Sequence, residues 1–210
     1  MSKVPKMPNF WYYVIYYVSR IAYIICHPSK VIGLENVPTG GALVCGNHTG
    51  LSDPVMACHA TTKRHPLQPM SKIEVTNIPI LGKVLLTAGV IPVDRDNPDS
   101  KIMRHTLNCL KAGNKVLIYP EGTRRAPGEE SINPKTGAAF FATRSGVPII
   151  PMYIPREKPL FKRIPVFIGE PYIPEYAGKK ATTEELETIS SEIMKRIDAM
   201  RIPHEESLRK

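Results

Sequence analysis

Between Trp11 and Cys26 the stretch WYYVIYYVSRIAYIIC repeats apolar positions every three or four residues. Trp11, Val14, Ile15, Val18, Ile21, Ala22 and Ile25 share one helical face, and Tyr12, Tyr16, Ser19, Arg20 and Tyr23 take the other. Beyond a boundary at residues 28–40 the rhythm changes. Short apolar runs at Ala42–Gly46, Leu67–Ser71, Val90–Val93, Val116–Tyr119, Pro148–Ile154 and Val166–Gly169 read as strands. Pro54–Ala60, Ile80–Ala88, Asp99–Ala112 and Lys135–Ser145 read as helices between them. That alternation predicts an α/β fold with a mainly parallel mixed sheet flanked by helices. A last helix, Thr183–Met200, puts Leu186, Ile189, Ile193, Ile197 and Met200 on one face, as a helix covering the core does.

The first helix is too short to span a bilayer, because the segment from Trp11 to Cys26 rises about 24 Å against a hydrocarbon core of roughly 30 Å. Its tyrosines and tryptophan suit the headgroup level. Lys3, Lys6, Arg20 and Lys30 add positive charge with no acidic residue before Glu35. Residues 1–30 are therefore expected to form an amphipathic helix lying in a membrane interface, ahead of a domain over residues 31–210. The alternatives are a helix packing its apolar face on the core, or an uncleaved signal-like segment, since no small-residue cleavage site follows.

The chain of 210 residues is 42% hydrophobic, enough for one domain with a real core, and its net charge of +9 favours anionic partners. The basic residues are dispersed, which argues against nucleic acid. Cys26, Cys45, Cys58 and Cys109 lie far apart with no CxxC pair, so reduced thiols are expected and zinc-finger and redox readings fall away.

In α/β sheets ligands gather at the carboxyl ends of the strands, and three such ends carry chemistry here. After Ala42–Gly46 comes Asn47-His48-Thr49-Gly50-Leu51-Ser52-Asp53-Pro54. A carboxylate at Asp53 holding one imidazole nitrogen of His48 leaves the other free to take a proton from a substrate hydroxyl, although Asp53 serving only as a helix cap is the plainer alternative. Gly89-Val-Ile-Pro-Val-Asp94-Arg95 and Val116-Leu-Ile-Tyr-Pro-Glu121-Gly122-Thr123-Arg124-Arg125 bring arginines to the same edge. Guanidinium forks and a glycine turn fit phosphate oxygens.

This ordered set, with Val147-Pro148-Ile149-Ile150-Pro151, resembles the four motifs of the glycerolipid acyltransferases, specifically the bacterial type of 1-acyl-sn-glycerol-3-phosphate acyltransferase. The resemblance spans roughly residues 33–170. It implies the acyltransferase αβ fold for residues 31–210, no metal, no cofactor beyond an acyl-CoA or acyl-carrier-protein co-substrate, and no covalent acyl-enzyme. It makes His48 the general base and Asp53 its orienting partner. Arg95, Glu121, Gly122, Thr123 and Arg124 become the phosphate and glycerol ligands, Lys72 of Ser71-Lys72-Ile73-Glu74 a further cation, and Asn47 and Pro148 supporting residues. The implied reaction moves a fatty acyl group to the 2-hydroxyl of lysophosphatidate, giving phosphatidic acid. The implied partners are a lysophospholipid, an acyl thioester and a membrane surface, with the protein peripheral or monotopic on the cytoplasmic face of the cell membrane. Rival readings are another acceptor such as glycerol 3-phosphate, a non-catalytic anionic-lipid module, and a hydrolase using Cys45, Cys58 or Ser71.

Two departures from the family pattern, Tyr119 for phenylalanine and Pro92 for a branched or aromatic residue, are expected to leave the chemistry untouched. Ile80, Leu81, Val84, Leu85 and Leu86 are candidate lining for an acyl trough or ordinary core. Oxyanion stabilisation is expected from backbone N–H groups near His48. The loop from Ile154 to Pro165 mixes apolar bulk and positive charge, as a solvated loop or one touching a membrane or an acidic carrier does.

Overall fold

The computed structural model describes residues 7–94, 97, 99–125 and 133–202. Helix α1 (Phe10–Cys26) starts at Asn9, whose side chain accepts the Tyr12 N–H at 2.8 Å. Then follow β1 (Ser29–Ile32), a 3-10 turn at Leu34–Asn36, β2 (Ala42–Gly46), α2 (Asp53–Ala60), β3 (Leu67–Lys72), α3 (Ile73–Thr76), α4 (Leu81–Thr87) and β4 (Ile91–Val93). The second half holds α5 (Ser100–Lys111), β5 (Lys115–Ile118), α6 (Gly137–Ser145), β6 (Ile149–Tyr153), β7 (Ile164–Ile168) and α7 (Thr183–Ala199). Helix α7 opens with a full capping box, Thr182 bonding the Glu185 N–H and Glu185 reaching back to the Thr182 N–H.

The seven strands lie in the order β1-β7-β6-β2-β5-β3-β4, all neighbours parallel except the antiparallel pair β6 and β7. The expected mainly parallel sheet is present. Strand β2, buried at every residue, sits at its centre, as a strand covered on both faces does. Tyr23 of α1 and Met56, Ala57 and Ala60 of α2 pack on one face of the sheet. Cys109 and Leu110 of α5, Ala138 to Ala142 of α6 and Ile189, Ile193 and Ile197 of α7 cover the other.

Two expectations change. Strand β1 pairs with β7, so a division at residues 30 and 31 falls inside a strand of the sheet. The run Ile80–Leu86 is not ordinary core: Ile80 is 83% exposed, Leu81 and Leu86 are also exposed, and Val84 and Leu85 are half-buried.

Helix α1 turns three of its five tyrosines inward. Tyr12, Tyr16 and Tyr23 are buried, while Phe10, Trp11, Tyr17, Val18, Ile21, Ile24 and Ile25 face outward. His59 of α2 receives this face, stacking on Tyr23 and tilting against Tyr16 at 4.5 Å each, with its Nε2 3.0 Å from Ser19 Oγ. The apolar face is thus not the one that packs on the core. Among the described residues no helix is long and apolar enough to cross a membrane.

Candidate active site

Strands β2, β5, β3 and β4 run parallel and adjacent, so their carboxyl ends meet one edge at intervals of about 4.8 Å. His48 follows β2, Tyr119 to Arg124 follow β5, and Lys72 ends β3. Arg95, just past β4, lies outside the described residues.

His48 Nδ1 stands 3.1 Å from Asp53 Oδ2. An ionised carboxylate only accepts, so Nδ1 carries the hydrogen and Nε2 is left as the basic nitrogen. The same Oδ2 accepts the N–H groups of Thr49 and Gly50 at 2.7 Å each. These donors precede α2, so Asp53 is not its N-cap; the carboxylate organises the turn that holds His48. Lys158, from the loop after β6, closes the arrangement with Nζ 2.8 Å from Asp53 Oδ1 and 2.8 Å from Thr49 Oγ1. Burial alone would raise the Asp53 carboxyl, but the His48 hydrogen bond, the Lys158 ammonium and the Thr49 N–H outweigh it and hold the group below its ordinary range.

The imidazole lies flat on Tyr119, with ring centroids 4.1 Å apart and planes 15° from parallel. Tyr119 therefore does touch the proposed chemistry, contrary to expectation. Its hydroxyl is buried with no hydrogen-bond partner among the described residues, and burial pushes its pKa up. Asn47 locks the turn to the strand beside it: its side-chain amide donates to Ile154 O and accepts from Ile154 N, both at 2.8 Å.

Glu121 is not placed to contact an acceptor. It is fully buried, with Oε1 3.0 Å from Arg125 Nε and 3.4 Å from the His48 N–H, and burial pushes it up to about 6 against the offsetting Arg125 charge. A carboxylate in that position braces the turn and would repel a phosphate. Arg125, the last residue of the motif and given no role of its own from the sequence, donates its backbone N–H to His48 O at 2.9 Å and reaches Asp198 of α7 at 3.5 Å. Gly122 adopts φ +69, and a Cβ there would stand 3.0 Å from Lys135 Cγ, so the turn requires glycine. Thr123 and Arg124 are exposed on it. Lys72 is 47% exposed and pairs with Glu74 at 3.0 Å. Pro148 sits at the opposite edge, where its carbonyl accepts from Leu43 N at 2.9 Å and sets the register of β2 and β6.

The backbone donors around His48 are already engaged. The N–H groups of His48, Thr49 and Gly50 all go to carboxylates, which removes them as oxyanion donors. A cavity of about 460 Å³ is lined by Tyr119, Pro120 and Gly122 of the same turn and by Met70, Ile102, Met103, Phe140, Phe141 and Leu186; His48 is not among its lining residues. Cys45 is fully buried and Cys58 is pushed up to about 12 by burial, so neither is an activated thiol. Among the described residues no three His, Cys, Asp or Glu side chains group as metal ligands.

The family model described as Acyltransferase matches residues 28–155. The chain belongs to the acyltransferase family. The 1-acyl-sn-glycerol-3-phosphate acyltransferase of Bacillus subtilis is 28% identical to it over 184 residues, covering 81% of this acyltransferase and 90% of the relative. That of Streptococcus pneumoniae is 30% identical over 147 residues, 67% of this chain and 53% of the other. The chloroplastic LPAT1 of Arabidopsis thaliana is 28% identical, and the chain spans only 42% of its length. The fold matches the crystal structure of the 1-acyl-sn-glycerophosphate (LPA) acyltransferase PlsC from Thermotoga maritima with a TM-score of 0.67 at 23% identity, over 90% of this chain and 79% of that one.

Proposed function

We propose that this acyltransferase moves a fatty acyl group from a thioester to the 2-hydroxyl of 1-acyl-sn-glycerol 3-phosphate, with His48 as the base. The observation that carries the reading is the His48–Asp53 pair, its free Nε2 at the sheet's carboxyl edge and its ring stacked on a tyrosine that also lines an apolar cavity. Nε2 takes the hydroxyl proton as the oxygen attacks the thioester carbonyl carbon. The tetrahedral adduct then expels the thiolate, the C–S bond breaks, and the proton passes from His48 to sulfur. No protein nucleophile is needed. The apolar cavity holds the acyl chain, and Thr123 and Arg124, exposed on the glycine turn, meet the acceptor's phosphate. Carrier-protein and coenzyme A thioesters both offer the bond that breaks. The outward aliphatic face of α1 rests the protein on the membrane that supplies the lipid acceptor.

Thiol release by the purified protein tests this, comparing lysophosphatidate with glycerol 3-phosphate and each donor with the other. Release that requires lysophosphatidate is the expected result. Release without any acceptor would instead identify a thioester hydrolase, and no release at all a binding module. His48→Ala should lower turnover by about 10²- to 10⁴-fold, and Asp53→Asn by somewhat less.

A further inference from the structure

The loop between β6 and β7 does more than join two strands. Lys158 is an ammonium with a side chain only 8% exposed, and it is 109 residues from Thr49 in sequence. Its ammonium meets three oxygens: Asp53 Oδ1 in an ion pair at 2.8 Å, Thr49 Oγ1 at 2.8 Å and, more distantly, Arg156 O at 3.4 Å. We propose that Lys158 is a positioning residue of the acyl transfer: its ammonium clamps the outer oxygen of Asp53 and sets the orientation and charge that the imidazole meets.

The physical case rests on how the carboxylate is shared. Asp53 is completely buried, and a buried carboxylate is costly unless paired. On Oδ2 it meets His48 and two N–H groups, and on Oδ1 it meets Lys158. The other groups around the pair are the Tyr119 ring under the imidazole, Glu121 accepting from the His48 N–H, and Arg125 paired with that glutamate. Arg156, from the same loop as Lys158, donates to Arg125 O at 3.3 Å. Among these groups only Lys158 puts a positive charge in direct contact with the aspartate. It also fixes Thr49, whose N–H is one of the carboxylate's donors, so one side chain holds both ends of the turn. With the ammonium removed, the carboxylate's whole charge faces the imidazole and holds the transferred proton on the ring to higher pH.

This inference rests on His48 acting as the base, and the experiment separates the two. Thiol release is measured for wild type, Lys158→Met, Lys158→Gln, Lys158→Arg and His48→Ala, with kcat, acceptor KM and the pH profile of kcat/KM. For Lys158→Met and Lys158→Gln the expected result is a kcat about 10- to 100-fold lower, an acceptor KM within about twofold, and an acid limb about one pH unit higher. Lys158→Arg, which keeps the charge, should bring the limb back toward wild type. The midpoint of the limb does not depend on how much of a preparation is folded, and the glutamine variant keeps a hydrogen-bond donor if the methionine variant fails to fold. An unmoved limb in both neutral variants, or a rise in acceptor KM alone, overturns the proposal while His48→Ala remains inactive. Full turnover by His48→Ala would overturn the base assignment and this inference with it.

Discussion

At the scale of single residues, the site is built from groups that satisfy one another. Asp53 accepts from an imidazole, two backbone amides and an ammonium, and Asn47 matches both polar groups of Ile154. Among the described residues the Tyr119 hydroxyl, on the ring that supports His48, is buried without a hydrogen-bond partner, as is Glu121 Oε2. Removing an unsatisfied buried hydroxyl while keeping the ring relieves a desolvation cost. Tyr119→Phe is therefore expected to stabilise the fold by about 1 kcal/mol and leave turnover within about twofold, measured by urea unfolding and thiol release. Tyr119→Ala, which strips the ring from under the imidazole, should lower turnover by at least tenfold in the same assay.

At the scale of elements, α1 is held through α2, and the joint is sensitive to pH. Burial, aided by the Arg20 charge, pushes His59 down from 6.5 to about 4. The folded protein keeps this ring neutral while the unfolded chain takes up a proton, so stability is lost as pH falls from about 6.5 to about 4. The loss should be roughly 2 to 3 kcal/mol in urea titrations at pH 7 and pH 4.5, and His59→Phe, which still stacks on Tyr23, should remove most of that dependence. The same helix shows what could be read in advance. Its period gave two faces correctly, but hydropathy does not say which one meets the protein: the tyrosines carry enough apolar ring to pack inward while offering hydroxyls to partners such as the Leu67 N–H. The motifs after β2 and β5 were legible because each follows directly on a strand, and parallel neighbours bring such ends together. Lys158 was not, because a contact closed by a distant loop leaves no local pattern. Glu121 misled for a related reason: adjacency to an exposed arginine in sequence carries no information about which side chain of a turn points inward.

At the scale of the whole molecule, the outward face of α1 and the excess of positive charge act together. Val18, Ile21 and Ile25 project from the protein on the side away from the sheet. Changing these three to serine should weaken flotation with anionic liposomes by on the order of a hundredfold while thermal stability holds, because none of them packs on the core. Unchanged flotation would place the lipid contact elsewhere. The proposed chemistry lies at the edge where β2, β5 and β3 end, and the strands begin at the reverse edge. There the chain turns at Gly113, exposed, at φ +89, with open space where a side chain would grow. A short tag spliced in after that glycine should be carried without loss of turnover, giving a handle for fluorophores or surface attachment on the side remote from catalysis.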